Sequence, residues 1–248
     1  MKSLERNIVR KAGRAIGDFG LIEDGDRVMV ALSGGKDSWT LLHVLEALRR
    51  KAPVRFGIVA VTVHPGFPGF RSDDVEDWLR EHGFEYHIER SNMYGVIAEK
   101  MGPEEGGWCS FCARLRRGIL YRLAGELSCT KVALGHHADD LIETLLMSAL
   151  YNGELRSMPP KLLAEDGRNV VIRPLCYVSE AETAEFARAN GFPVINCGCP
   201  VCGGSAMKRH KVKALLNKLE SEDPGIKDSL LAALGNIKLK YLMDKRFY

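Results

Sequence analysis

The chain has 248 residues, 46% of them hydrophobic and 27% charged, which is enough for one main domain with a substantial core and a small appendage. Its formal net charge of +3 is too small to indicate a nucleic-acid partner by itself. Apolar stretches such as residues 57–63 are far shorter than the roughly 20 residues that a membrane span requires, so we expect a cytoplasmic protein without a membrane contact.

Short apolar runs alternate with helical patterns along the first two thirds of the chain. The predicted strands are residues 27–32, 56–63, 84–88, 131–135 and 170–173, of which 84–88 alternates as a more exposed strand does. The predicted helices are residues 38–50, 74–82, 114–127 and 139–151. This alternation predicts an α/β fold in which a parallel sheet is wrapped by helices and ligands bind at the carboxyl ends of the strands.

The last part of the sequence is helical only. A basic stretch at residues 208–218 is followed by Pro224 and one further helix. We therefore predict a sheet domain with a basic N-terminal helix over residues 1–202 and a helical C-terminal extension over residues 203–248.

A glycine-rich loop joins the first predicted strand to the following helix. Glycines at this place let backbone amides surround phosphate oxygens, so the loop predicts a nucleotide site formed by Ser33, Gly34, Gly35, Lys36, Asp37 and Ser38. A Walker loop would have a hydroxyl where Asp37 stands. A carboxylate next to a triphosphate needs Mg²⁺ between them, which predicts a metal-associated Asp37. The alternative is a simple glycine turn with a helix cap.

A second polar motif, Gly-His-His-Ala-Asp-Asp, begins at Gly135 after the fourth predicted strand. Its position predicts that Gly135 and Asp140 contribute to the same nucleotide site. Acidic residues at a helix start are also ordinary partners of the helix dipole, so this alternative stays open for Asp140.

The seven cysteines form two groups and two single residues. Cys109 and Cys112 make the first pair, the later cluster is Cys197, Cys199 and Cys202, and the single residues Cys129 and Cys176 suit a buried core. Two Cys-x-x-Cys pairs are typical of a four-thiolate metal site, and spacing alone favours tetrahedral zinc over an iron–sulfur cluster.

Several blocks together resemble a known family. Ser-Gly-Gly-x-Asp-Ser is similar to the signature loop of the PP-loop ATP pyrophosphatases (adenine nucleotide alpha hydrolase-like fold), which cleave ATP between its α and β phosphates. Trp-Cys-Ser-Phe-Cys-Ala-Arg-Leu-Arg-Arg-Gly at residues 108–118 resembles the TtcA family of tRNA 2-thiocytidine synthetases. So do the blocks at residues 158–161, 172–175 and 199–203.

The TtcA resemblance implies an ATP-dependent tRNA sulfurtransferase. Such an enzyme adenylates the C2 oxygen of a cytidine, expected at position 32, and replaces that oxygen by sulfur delivered through a [4Fe-4S] cluster. The resemblance assigns the cluster to Cys109, Cys112 and Cys202, with Cys199 left out of the ligand set. The implied catalytic residues are Lys36, Asp37 and Cys202, and the implied cofactors are ATP, Mg²⁺ and the cluster.

The implied partners are tRNA, a sulfur donor such as a cysteine desulfurase, and a second copy of the chain in a homodimer. Cations that follow the two cysteine groups are candidates for RNA phosphate contacts, namely Arg114, Arg116, Arg117, Lys208 and Arg209. A solvated basic face is the alternative. Residues 63–71 depart from the family's Asn-Leu-Asp type sequence, which affects the expected adenosine contacts.

Three other functions fit parts of the pattern. A PP-loop sulfurtransferase could act on another tRNA pyrimidine, a small-molecule ligase could adenylate its substrate without RNA, and a zinc-stabilised protein of the same fold could bind RNA without catalysis.

Overall fold

The computed structural model describes residues 2–67, 69–101, 107–195, 204–243 and 245, without the side chains of 204–207. The strands are β1 (Arg27–Ala31), β2 (Gly57–His64), β3 (Tyr86–Arg90), β4 (Lys131–Ala133), β5 (Lys161–Leu163) and β6 (Val170–Ile172). The helices are α1 (Lys2–Phe19), α2 (Lys36–Arg49), α3 (Ser72–Glu81), α4 (Met93–Lys100), α5 (Trp108–Glu126), α6 (Ala138–Asn152), α7 (Glu180–Asn190), α8 (Gly204–Glu222) and α9 (Ile226–Leu234). None of the described helices has both the length and the apolar composition of a membrane span.

The strands form one sheet in the order β3-β2-β1-β4-β6-β5. All neighbouring strands pair in parallel except β5 and β6, which pair antiparallel at one edge. Strand β3 lies at the other edge and is only half-buried, as its alternating sequence predicts. The predicted fold class, a parallel sheet wrapped by helices with a helical C-terminal part, is confirmed.

The strand order places a ligand site between β1 and β4. The chain runs outward from β1 to β2 and β3 on one side and continues through β4 and β6 on the other. A crevice opens at such a reversal, beyond the carboxyl ends of the two central strands. The residues that follow β1 and β4 therefore lie where an α/β fold binds its ligands.

The core of the sheet domain lies on both faces of β1 and β2, whose central residues are buried. Helix α2 contributes Trp39, Leu41 and Leu45 to one side of this core, and all three are fully buried. Leu120 and Leu123 of α5 pack against Met29, Val59 and Val61 in another apolar cluster of the core. Helix burial of this kind fixes the direction of α5, and with it the place of the residues at its start.

Helix α5 begins earlier than the sequence indicates. The predicted start at residue 114 is wrong, because the helix begins at Trp108 after Gly107, which has φ 111°. Only glycine adopts this left-handed conformation without strain. Trp108 is buried, so it anchors the first turn, and Cys109 and Cys112 lie within the helix rather than before it.

The described residues form two compact units, one within Met1–Ala138 and Pro159–Ala206, the other within Asp139–Met158 and Met207–Tyr248. In the second unit Ile142 packs with Val212 and Leu216, and partly buried leucines of α9 complete this small core. The boundary predicted between residues 202 and 203 falls in 196–203, outside the described residues, and stays a prediction.

Helix α7 starts with a capping box that the sequence analysis missed. Ser179 Oγ accepts a hydrogen bond from the Glu182 N–H at 3.3 Å, and the Glu182 carboxylate accepts from the Ser179 N–H at 2.8 Å. Burial raises the pKa of Glu182, but hydrogen bonds from Lys11 and Ser179 outweigh it and hold this pKa below its usual value. The carboxylate thus joins α1 to the start of α7.

We expect Ser179→Ala to lower the free energy of unfolding by about 1 kcal/mol, because it removes the side-chain cap of α7. The measurement is urea denaturation followed by circular dichroism. Ser221→Ala is the control, since the Ser221 hydroxyl is exposed and donates to the Lys218 carbonyl in its own helix. Equal midpoints for both variants would contradict the prediction.

Candidate active site

Residues 33–38 comprise the turn after β1 and the first residues of α2, and they are shaped by their own hydrogen bonds. The Ser38 hydroxyl donates to the Gly35 carbonyl at 2.8 Å, and Ser33 Oγ accepts from the Gly35 N–H at 3.3 Å. Gly34 has φ 81°, which favours glycine. The Ile195 N–H donates to the Gly34 carbonyl at 2.8 Å, and a Cβ on Gly34 would lie 3.1 Å from the Ile195 side chain.

Asp37 lies in the first turn of α2 and has three polar neighbours. Lys36 Nζ is 2.8 Å from one carboxylate oxygen and 2.9 Å from the other, and Thr183 Oγ1 donates to Oδ1 at 2.6 Å. His137 Nε2 is 3.8 Å from the same Oδ1. Lys36 Nζ also lies 3.5 Å from Glu180 Oε1, so one ammonium group connects two carboxylates.

This arrangement fits Mg²⁺ in the way that nucleotide enzymes hold it. Mg²⁺ is usually bound through one or two carboxylates together with phosphate oxygens, rather than by a cage of protein ligands. Asp37 and Glu180 provide such oxygens beside Lys36. Within the described ranges no group of three or more His, Cys, Asp or Glu side chains is arranged to hold a metal. A metal at Asp37 would therefore depend on phosphate ligands.

The Gly135 backbone runs against the start of α2. A Cβ on Gly135 would lie 2.9 Å from the carbonyl carbon of Asp37, closer than real Cβ atoms come, and 3.0 Å from the Ser38 nitrogen, which is also a tight contact. The position therefore requires glycine. Because of this close approach, the histidines that follow Gly135 lie next to the glycine-rich loop of residues 33–38, which we call the nucleotide loop. His137 is buried beside Asp37.

Arg173, at the end of β6, orients His136. Its Nε donates to His136 Nδ1 at 3.2 Å and its Nη1 donates to the Pro159 carbonyl at 2.6 Å. Since arginine only donates, His136 Nδ1 must be the acceptor, and the hydrogen of the neutral ring is on Nε2. Arg173 is buried, and this burial lowers the pKa of its guanidinium. Sequence reasoning identified the block around Arg173 but not this contact.

Asp140 and Arg209 bind each other within the second unit. Arg209 Nη2 lies 2.9 Å from Asp140 Oδ1, and Arg209 Nε lies 2.8 Å from Oε2 of the buried Glu143. Lys208 is exposed, and its Nζ lies 5.0 Å from the centre of the Tyr151 ring. The nucleotide role of Asp140 and the RNA roles of Lys208 and Arg209 stay predictions.

Cys109 and Cys112 lie three residues apart at the start of α5, so their side chains share one side of the first turns. Both are partly buried, and Cys112 packs against the core cluster under α5. Arg116 Nη2 lies 3.8 Å from Cys112 Sγ. Two partly buried cysteines on one side of a helix, with a guanidinium beside one sulfur, fit the thiolate ligands of a metal cluster. Cys197, Cys199 and Cys202 lie outside the described residues.

The two single cysteines, Cys129 and Cys176, were expected from the sequence to lie in the core. Cys176 is buried, and burial raises the pKa of its thiol to about 12. Cys129 is half-buried against the same core cluster as Cys112, and burial raises its pKa as well. Neither residue provides the exposed, charge-stabilised thiolate that metal binding requires.

The segment after β2 forms a packed aromatic loop. His64 Nδ1 accepts from the Gly66 N–H at 3.0 Å, and the His64 ring lies edge-on to Phe70 with 5.2 Å between ring centres. Phe67 contacts both Phe70 and Tyr94, and Tyr94 contacts Trp108 at the start of α5. The aromatic residues within the segment that departs from the family sequence, residues 63–71, are therefore connected through Tyr94 to the start of α5, the helix that carries Cys109 and Cys112. The paired aromatic residues at 67 and 70 were the signal available in the sequence.

The three predicted arginines of α5 differ in exposure. Arg114 and Arg117 are exposed and available for phosphate contacts, whereas Arg116 is half-buried beside Cys112. Exposure is what an RNA backbone contact requires, so the structure separates Arg116 from its two neighbours.

The sheet order, the glycine-rich loop after β1 and the histidine motif after β4 define a PP-loop protein. The sequence profile of the PP-loop domain matches residues 4–196. The chain is also similar to a solved NH3-dependent NAD synthetase from Campylobacter jejuni subsp. jejuni, at 17% identity and a TM-score of 0.51, over 97% of this chain and 93% of that one. At that identity the likeness shows the fold alone.

Full-length relatives identify the family. The chain is 54% identical over 239 residues to the tRNA-cytidine(32) 2-sulfurtransferase of Geobacter sulfurreducens, covering 96% of this chain and 93% of that protein. It is 51% identical over 243 residues to the enzyme of the same name from Anaeromyxobacter dehalogenans, covering 98% and 83%. The chain belongs to the tRNA-cytidine(32) 2-sulfurtransferase family. The TtcA resemblance and the expected enzyme class are thereby confirmed.

A thiolase of another tRNA position has a similar structure. The U34-tRNA thiolase NcsA from Methanococcus maripaludis, solved with its [4Fe-4S] cluster, matches with a TM-score of 0.77 at 25% identity. The match covers 96% of this chain and 80% of that chain.

We expect Gly135→Ala to lower the free energy of unfolding by about 1–3 kcal/mol and to weaken ATP binding, because a methyl group would push against the backbone at Asp37. Urea denaturation and titration calorimetry with ATP are the measurements. Gly125→Ala is the control, since a Cβ there meets nothing within 4 Å and alanine stabilises a helix by up to about 1 kcal/mol. Unchanged ATP affinity in Gly135→Ala would show that the close approach does not shape the loop.

Proposed function

We propose that this chain is an ATP-dependent tRNA sulfurtransferase that converts cytidine 32 to 2-thiocytidine. The observation that carries the proposal is the arrangement at the carboxyl ends of β1 and β4, where the PP-loop and a buried histidine meet at Asp37. The relatives at 54% and 51% identity, named for cytidine 32, support this base and position. We favour cytidine over uridine as the modified base, because the U34-tRNA thiolase is more distant in sequence than the relatives named for cytidine 32.

The first step of the proposed reaction activates the base. The C2 oxygen of cytosine attacks the α phosphorus of ATP, the bond between this phosphorus and the bridging oxygen breaks, and pyrophosphate leaves with the electron pair. In this proposal the amides at Gly34 and Gly35 and the hydroxyls of Ser33 and Ser38 hold the pyrophosphate, and Lys36 neutralises its charge. Asp37 would hold Mg²⁺, which offsets phosphate charge when bound.

Thr183 and His137 keep the Asp37 carboxylate in place during this step. The Thr183 hydroxyl donates to Oδ1 from α7, and His137 approaches the same oxygen from the end of β4. A carboxylate held from two elements loses little freedom when a metal–phosphate group binds, which is the advantage of preorganisation.

The second step replaces oxygen by sulfur. A sulfide equivalent forms a bond to C2, the bond between C2 and the adenylated oxygen breaks, and AMP leaves with the electron pair. When bound, a [4Fe-4S] cluster held by three thiolates supplies one iron without a protein ligand, a position at which sulfur is held. Cys109, Cys112 and Cys202 are the proposed ligands. The M. maripaludis thiolase, solved with its [4Fe-4S] cluster, supports an iron–sulfur cluster rather than zinc as the group they hold.

The remaining parts of the proposal concern partners. Arg114 and Arg117 on α5, with Lys208 and Arg209 of the second unit, are the proposed contacts to tRNA phosphates. A cysteine desulfurase is the proposed sulfur donor, and we propose a homodimer in the cytoplasm.

We expect tRNA from cells that lack the gene to contain no 2-thiocytidine, and plasmid-borne wild type to restore it. Asp37→Asn should reduce restoration by at least about 100-fold, because it weakens metal and phosphate binding. Asp77→Asn is the control, since Asp77 is exposed and pairs with Arg80 on its own helix. The measurement is mass spectrometry of tRNA nucleosides.

Other outcomes of this experiment would contradict the proposal. Unchanged 2-thiocytidine in the deletion strain would refute the proposal, and loss of a different thiolated pyrimidine would favour a sulfurtransferase that acts on that base.

In a separate assay, pyrophosphate release by the purified protein without RNA would favour a small-molecule ligase.

We expect anaerobically purified protein to contain about four iron and four sulfide ions per chain. Cys109→Ala, Cys112→Ala and Cys202→Ala should each lose most of both, because three thiolates hold the cluster. Cys129→Ala is the control, since its thiol is half-buried and its pKa is raised by burial. Metal and labile-sulfide analysis is the measurement. Zinc without labile sulfide would contradict the cluster and favour a zinc-stabilised RNA-binding protein.

A further inference from the structure

Arg116 is unlike the arginines on either side of it. Its Nε atom is shielded from solvent and has no hydrogen-bond partner in the part of the chain that the structure describes. A buried donor without an acceptor costs folding free energy, so native proteins keep one where a ligand or an ordered water provides the acceptor.

Arg116 lines a small cavity at the carboxyl ends of β1 and β2. The cavity has a volume of ≈ 40 Å³, and the residues that line it include Phe70 and Ser33 of the glycine-rich loop. Apolar side chains such as Val63 and Leu120 form most of the remainder. This volume holds a few water-sized groups, so the cavity takes one edge of a ligand rather than a whole nucleotide.

The same side chain reaches toward the cysteine pair. While Arg116 lines the cavity beside Ser33, its Nη2 lies 3.8 Å from Cys112 Sγ. A base that is first adenylated and then thiolated must be accessible to ATP bound at the nucleotide loop and also to the sulfur delivered beside the cysteine pair. The cavity beside Arg116 meets this requirement, because the loop and the cysteine helix both contribute to its wall.

We propose that Arg116 is a substrate-binding residue whose Nε–H donates a hydrogen bond to the edge of the pyrimidine that is thiolated. The acceptor is of the class that a pyrimidine offers at O2 and N3, and the aromatic and apolar wall suits a planar base. A phosphate group would require several converging donors, whereas the buried Nε–H of Arg116 is the one donor that we assign to this cavity. The inference rests on the proposed function, because it concerns the base on which that reaction acts.

The test is a binding cycle with the full chain and two tRNAs, one with cytidine at position 32 and one with an abasic nucleotide there. Removal of the base should weaken binding to the wild type by about tenfold, because the buried hydrogen bond is lost. Arg116→Lys keeps the charge but loses the Nε–H, so its affinities for the two tRNAs should be equal within about twofold. Arg49→Lys is the control and should show the wild-type difference, since Arg49 is exposed on α2 and pairs with Glu46 of the same helix. Fluorescence anisotropy measures the affinities.

Turnover provides a second readout. Arg116→Lys should lower kcat for 2-thiocytidine formation by about 100-fold while the KM for ATP and the iron content stay within about twofold of wild type. If Arg116→Lys does not fold, as judged by its thermal unfolding, Arg116→Ala with added ethylguanidinium replaces it. Recovery of turnover with this cation supports the proposal, and no recovery by the folded variant contradicts it.

Three results would overturn the inference. They are a base-dependent affinity in Arg116→Lys equal to that of the wild type, a change confined to the KM for ATP, and a loss of iron as the main effect. The second result would assign the cavity to adenine and the third would assign Arg116 to metal binding. Wild-type protein that forms no 2-thiocytidine would instead refute the proposed function, so the two failures are distinguishable.

Discussion

The close approach between the end of β4 and the start of α2 is the constraint on which the site depends. Gly135 passes the backbone of Asp37 at a distance that leaves no room for a side chain. This contact brings the histidine motif to the nucleotide loop, although the two segments are about one hundred residues apart in the sequence. The reversal of strand order between β1 and β4 creates the crevice, and the glycine lets its two walls meet.

The second constraint is the distribution of charge around Asp37. One ammonium group, from Lys36, lies between the carboxylates of Asp37 and Glu180, and a hydroxyl from α7 donates to Asp37. On the neighbouring strand end, Arg173 carries a buried positive charge whose hydrogen bonds go to an imidazole and a backbone carbonyl. Positive groups therefore follow both β1 and β6 at the carboxyl edge of the sheet, and each of them has polar partners.

The sequence was most informative where structure is local. Apolar runs predicted β1, β2, β4 and β6, and the glycine-rich loop was recognisable because its residues are consecutive. Thr183 was missed because its contact with Asp37 joins distant segments, and only the capping box at Ser179 signalled its helix. Strand β5 was missed because its three residues are too few to show a period, and its two leucines are exposed.

Side-chain partners were the least predictable part of the site. The sequence offered Asp140 and Arg209 as separate candidates, one for the nucleotide and one for RNA, and the structure shows an ion pair between them in the second unit. Likewise, three arginines on α5 read as one basic group, while burial separates Arg116 from Arg114 and Arg117. Cysteine spacing could not distinguish zinc from iron, because both metals accept thiolates.

The contact between Ile195 and Gly34 has a consequence for the order in which the protein is made. The nucleotide loop emerges from the ribosome early, but the N–H that bonds its glycine carbonyl belongs to a residue 161 positions later in the chain. Thr183, which fixes Asp37, is also translated late. A nascent chain that ends before these residues contains the whole glycine-rich loop but lacks two of the donors that hold it, so the loop gains these hydrogen bonds only after residue 195 has been translated.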